Sequence, residues 1–187
     1  MDAPIPLQDH CLLVADPFLQ DDHFTRTVIF ILSHREQDGS FGLILNKPSP
    51  YRLHELFDAI TREDLVVMEG GPVGADTLHF LHRCPSLIPD GQAISNNLFW
   101  GGDFAAVQTA LEKNQLAPAD IRFFLGYSGW SAGQLTREME EKTWLTAPLQ
   151  ERLLFDVSGD TLWKETVRTL GPAYRDLLHY PLDPQLN

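Results

Sequence analysis

Apolar residues form short runs along several stretches of the chain and recur every three to four residues along others, with turn-forming residues between them. Thr27 to Ser33 is β-branched and aromatic and predicts a strand. The polar segment Arg35 to Ser40 contains Asp38-Gly39, a turn signal, and Phe41 to Asn46 returns as a second apolar run. Two such runs joined by a short turn predict an antiparallel hairpin. His10 to Ala15, closed by Asp16-Pro17, predicts an earlier strand. Leu65 to Met68, Thr77 to His82 and Ile121 to Leu125 predict three more, and Gln92 to Trp100 predicts one or two short ones. Trp144-Leu145 and Leu153 to Phe155 are further strand candidates.

Leu53, Leu56, Phe57 and Ile60 fall at i, i+3, i+4 and i+7, one face of an amphipathic helix. Gly101-Gly102-Asp103 supplies a turn and an N-cap for a helix burying Phe104, Val107 and Leu111. Gly126 to Gly129 reads as a turn, after which Ser131 to Gln134 fits a capping box opening a helix to about Glu141. Asp160 is the expected cap of a helix carrying Trp163, Val167 and Leu170, stopped by Gly171-Pro172. A short last helix is expected over Pro172 to Leu178. The order opens on a hairpin and lacks regular strand–helix alternation. That predicts an α+β fold, a mixed and mostly antiparallel sheet in one domain over residues 1–187.

The 187 residues suffice for a sizeable core without disulfides or metals. The two cysteines, Cys11 and Cys84, adjoin apolar runs and read as small buried hydrophobes. No apolar run is long enough to span a membrane, and the acidic start Met1-Asp2-Ala3-Pro4 is unlike a signal peptide, so a cytoplasmic location is expected. The formal charge of −12, with 14 Lys+Arg against 26 Asp+Glu, is the wrong sign for a polyanion. No helix-turn-helix with a basic second helix is visible, so no autonomous nucleic-acid binding is expected.

Several motifs occur in order: Pro17 to Val28, His34, Phe41 to Pro48, Gly70-Gly71-Pro72-Val73, Gly101-Gly102-Asp103, and Gly126 to Leu135 followed by Trp144-Leu145. In this series the chain resembles the YqgE/AlgH family of bacterial proteins over nearly its whole length. The resemblance implies an α+β domain with a bifurcated, partly barrel-like sheet surrounded by helices. It implies no catalytic activity; one member's name reflects a proposed role in regulating alginate synthesis. Two positions depart from the family pattern: Ser131 where Gly is expected and Thr136 where an acid is expected.

The most enzyme-like segment is Gly126-Tyr127-Ser128-Gly129-Trp130, at an expected strand–turn–helix junction, where the nucleophile elbow of α/β-hydrolases lies. The elbow's last glycine is Trp130 here, and Asp156 and His179 are the later acid and base in chain order. The plainer reading is a tight glycine turn anchored by an aromatic ring. No lysine or arginine lies between Gly126 and Thr136, which weakens an anion site at that helix start. His79, His82 and Cys84 include two residues on one strand face, short of the four ligands of a closed zinc site, and Asp21-Asp22-His23 has no defined ligand spacing. No catalytic residue, metal or cofactor is therefore assigned. Candidate binding residues are Gly126, Tyr127, Ser128, Gly129, Trp130 and Gln134, with His34 and Asn46 from the two ends of the first hairpin. The expected function is non-enzymatic partner binding or regulation, with an unknown protein as partner. The alternative is a small-molecule binder or hydrolase-like enzyme using the Gly126 to Gln134 segment.

Overall fold

The structure, a computed structural model, describes residues 5–156 and 159–180. Ten strands join in one sheet: β1 (Leu12–Ala15), β2 (Val28–Arg35), β3 (Gly39–Ile44), β4 (Pro48–Arg52), β5 (Val66–Glu69), β6 (Val73–His82), β7 (Gln92–Ala93), β8 (Phe99–Trp100), β9 (Ile121–Trp130) and β10 (Trp144–Ala147). The main path runs β10-β1-β2-β3-β9-β6-β8-β7, and β5 attaches to β9 beside that path, carrying β4 on its other edge. The path does not close on itself, so the sheet is bifurcated rather than a barrel. Only the β5–β9 pair is parallel among the described pairs.

The fork lies within β9. Its first half pairs with β5, Val67 to Phe123 and Glu69 to Leu125, whereas its last residues pair with β3, Ser40 to Trp130 and Gly42 to Ser128. The Gly70 peptide ties the three strands at the switch. Its N–H donates to the Leu125 carbonyl at 2.7 Å, and its carbonyl accepts the Ile44 N–H at 2.9 Å and the Ser128 hydroxyl at 3.2 Å. Backbones this close leave no room for side chains. A Cβ on Gly70 would sit 2.2 Å from the Gly126 carbonyl oxygen, and one on Gly126 would sit 2.5 Å from that of Gly71. Gly126 also has φ +67°, a left-handed conformation costly for any residue with a Cβ.

The helices pack on different parts of the sheet. Helix α2 (Phe104–Glu112) buries Val107, Ala110 and Leu111 in a cluster with Val67, Phe80 and Phe123. Helix α3 (Gln134–Glu140) places Leu135 beside Ile29, Ile31, Trp130 and Trp144. Helices α4 (Glu151–Phe155) and α5 (Asp160–Thr169) bring Leu153, Leu154, Trp163 and Val167 onto Phe30, Leu43 and Phe124. The α+β class and the mostly antiparallel sheet are those expected from the sequence.

Four local expectations are corrected. Gly126 to Gly129 is not a turn but the continuation of β9 across the fork. The helix expected over Leu53 to Ile60 forms one turn only, α1 (Leu53–Leu56), although Leu53 and Ile60 are both buried. Leu153 to Phe155 is helical, its short apolar run being equally compatible with either state. Gly159, not Asp160, occupies the N-cap position of α5. By contrast, Asp103 caps α2 as expected, accepting from Ala105 N at 2.8 Å, and a 3-10 helix covers Pro172–His179.

Candidate functional site

Because β9 is extended through Trp130, its side chains alternate between two faces, and the candidate segment is split. Ser128 and Trp130 point into the protein and are buried, whereas Tyr127 is half-buried and Gly129 exposed. Ser128 has no exposed surface, and its hydroxyl is spent on the Gly70 carbonyl. It sits on no elbow. Asp156 instead lies 4.0 Å from Arg83, and His179 belongs to the C-terminal 3-10 helix. The hydrolase arrangement suggested by Ser128, Asp156 and His179 is therefore not assembled.

On the inner side, Trp130 is part of a polar knot built around Glu138. One carboxylate oxygen accepts the indole N–H groups of both Trp130 and Trp144 at 2.8 Å, and the other accepts the Gln134 amide at 2.8 Å. Gln134 in turn accepts the Ser131 N–H at 3.0 Å, the return half of a capping box; Gly133, in the left-handed region, takes the N-cap position of α3. Phe24 stacks on Trp130 with ring centres 6.4 Å apart and meets Trp144 edge-on at 5.6 Å. Gln134 and Trp130 thus help hold α3 to the sheet, and with Gly129 they line a cleft of about 210 Å³.

His34 and Asn46 bond at the first hairpin, and Ser40, the partner of His34, stands opposite Trp130 in the β3–β9 ladder. The Asn46 side chain accepts the Val28 N–H at 2.9 Å and donates to the Arg26 carbonyl at 2.8 Å, closing the entry to β2. His34 shares a 2.8 Å hydrogen bond with the Ser40 hydroxyl across the hairpin. Both are structural fasteners. The histidine-cysteine cluster is likewise occupied: the His82 ring takes the Cys84 N–H at 3.2 Å and meets the Gly101 carbonyl at 3.1 Å. Burial holds the His82 imidazole below its ordinary pKa, against the opposing effect of that carbonyl. Among the described residues no group of three metal-type ligands converges, and Cys11 and Cys84 are free thiols. No helix of the described chain is long and apolar enough to cross a membrane.

Tyr127 does converge with other residues, on the opposite face from Ser128. Phe41 of β3, Tyr127 of β9, His79 of β6 and Trp100 of β8 come from four strands adjacent in the sheet, and all are half-buried. Phe41 touches the other three, with ring centres 4.7 Å from Tyr127 and 5.4 Å from both His79 and Trp100. Val73, 40% exposed, pairs with Tyr127 across the β6–β9 ladder and extends the apolar surface. Burial lowers the His79 pKa, and its buried Nε2 has no hydrogen-bond partner. The ring is thus an uncharged member of an aromatic stripe. Sequence reasoning found Tyr127 but missed Phe41, His79 and Trp100 as its companions. The only signal for them was that each is an aromatic or imidazole ring on a predicted strand.

Comparison with known proteins agrees with this architecture. The AlgH-like family model matches residues 12–175. A UPF0301 protein of Chlorobaculum parvum is 39% identical over 176 residues, covering 94% of each chain, and one of Cytophaga hutchinsonii is 34% identical over 177 residues. The solution structure of the AlgH protein from Pseudomonas aeruginosa superposes with a TM-score of 0.73 at 28% identity, covering 92% of this chain and 93% of that one. A crystal structure of a protein from Corynebacterium diphtheriae, 20% identical with a TM-score of 0.75, shares the fold. With its forked sheet and a family match running from β1 into the C-terminal 3-10 helix, the chain belongs to the AlgH-like family.

Proposed function

We propose that this chain is a cytoplasmic binding protein that engages a protein partner through the Phe41–Tyr127–His79–Trp100 stripe, and that any regulatory role is exerted through that contact. The observation that carries the reading is four half-buried rings on four neighbouring strands, continuous with the exposed Val73. Tyrosine, tryptophan and phenylalanine bring large contact area at little entropic cost and are enriched where protein interfaces concentrate their energy. Strand pairing presents them on hydrogen-bonded backbone rather than on a loop. The chain's charge of −12 disfavours a polyanionic partner and favours a protein surface with basic residues around an apolar centre.

The test compares three folded baits in extracts of the native host: wild type, Tyr127→Ala and Phe18→Ala. Phe18 is 57% exposed and lies outside the stripe, so its variant controls for loss of exposed aromatic surface in general. The reading expects a partner held by wild type and Phe18→Ala and lost by Tyr127→Ala, reflecting a loss of about 2 kcal/mol typical of an interface hot spot. Equal retention by all three baits contradicts it.

A further inference from the structure

A cleft on the β4–β5–β9 arm shares no residue with the aromatic stripe. It has a volume of about 370 Å³, within the range of about 300–1,000 Å³ typical of small-molecule sites. It opens between the β4–β5–β9 arm of the sheet and the residues Phe155 and Gly159. Pro48, Leu65, Val66, Met68, Phe123 and Phe155 make its walls apolar. Val66 is 43% exposed there, an apolar side chain left at the mouth.

One cation lies in this apolar lining. Arg122 projects from β9 and donates to the carbonyl oxygens of Leu154 and, at 2.7 Å, Leu45. A guanidinium has five N–H donors, so the rest have no protein acceptor among the described residues. None of the ion pairs among the described residues includes Arg122. The residue as a whole retains some exposed surface, but enough protein surrounds its charged end to pull its pKa down to about 10, still protonated at neutral pH. The cleft's acid, Asp64, is already committed to Arg62, which holds its carboxyl below the ordinary range. A desolvated cation without a carboxylate is an arrangement that proteins usually complete with an anion.

We infer that this cleft binds a small monocarboxylate with an apolar body, its carboxylate paired with Arg122 and its hydrocarbon lying along Val66, Met68 and Phe155. A planar guanidinium matches a carboxylate in a two-pronged pair. A single negative charge fits because Arg122 is the one cationic residue among the cleft's lining residues and two backbone carbonyls already share its guanidinium. A phosphate dianion would leave charge uncompensated against apolar walls. The inference is independent of the partner-binding reading, since neither requires the other.

The probes are hexanoate, its neutral analogue 1-hexanol, and inorganic phosphate, titrated into the full-length protein and followed by amide chemical shifts. Hexanoate is expected to shift residues Val66, Met68, Arg122 and Phe155 saturably and to bind at least about tenfold more tightly than 1-hexanol, the worth of a charge-assisted pair. Arg122→Gln is expected to erase that preference. Val66→Trp, at an exposed position, is expected to fill the mouth and abolish hexanoate binding while leaving the fold intact. Equal affinity for hexanoate and 1-hexanol overturns the inference, as does tighter binding of phosphate. Should Arg122→Gln not fold, Val66→Trp decides: undiminished hexanoate binding by that variant also overturns it.

Discussion

A methyl group added at Gly126 separates backbone conformation from crowding, because Gly133 offers a matched control. Gly126 and Gly133 have φ of +67° and +68°, so an alanine at either pays the same left-handed cost, about 1–2 kcal/mol. Their surroundings differ. Nothing lies within 4 Å of a Cβ on Gly133, whereas one on Gly126 meets the carbonyl oxygens of Gly71 at 2.5 Å and Val73 at 2.8 Å. Both are backbone atoms, at and just before the pairing of Val73 with Tyr127, so relief requires the fork itself to open. Overpacking of that kind adds about 1–3 kcal/mol. For a chain of this size each kcal/mol lowers the melting temperature by roughly 2–4 °C. Gly133→Ala is therefore expected to cost a few degrees and Gly126→Ala several degrees more, in thermal melts checked by urea unfolding. Equal losses would refute the claim that the Gly70–Gly71–Gly126 approach holds the sheet fork.

Further outcomes follow from the same contacts. Ser128→Ala is expected to cost about 1 kcal/mol at most, measured by urea unfolding, because the Gly70 carbonyl keeps its bond from Ile44 N–H. Glu138→Leu is expected to cost at least about 2 kcal/mol by the same assay, since it strands two indole N–H groups, and Glu138→Gln is expected to recover part of it. Burial lowers the pKa of both His79 and His82, so below the unfolded value of about 6.5 the unfolded chain takes up protons more readily than the folded one. Stability should therefore fall as pH drops from about 6.5 toward 5, above the range where the Asp9 and Asp64 carboxyls titrate. Urea melts across that window should show the slope, and a His79→Gln/His82→Gln variant should flatten it.

The strands were legible where β-branched and aromatic residues formed short continuous runs, as in Val28–Arg35, and the α2 helix was legible from Asp103 and its apolar face. The fork was not. Gly126 and Gly129 look like turn residues along the chain; only when Gly70 and Gly71 are found against Gly126 and Tyr127 does Gly126 become a spacer for crossing backbones. Short apolar runs such as Leu153 to Phe155 carry no periodicity that decides between strand and helix. Of the proposed stripe, one residue was legible, Tyr127. Its companions lie on strands brought together by β3–β9 and β6–β9 pairings between distant parts of the chain, which no local pattern encodes. Arg122 was hidden for a related reason: a lone arginine in a strand becomes informative only when no carboxylate is found beside it.

The partner-binding reading is tested most directly by a photoreactive benzoylphenylalanine at position 73, at the rim of the stripe, compared with one at position 18, outside it. Irradiation in the native host should yield a discrete adduct of one defined mass from position 73 and none of that mass from position 18, and Trp100→Ala should remove it. The same adduct from both positions, or one unaffected by Trp100→Ala, would contradict the account.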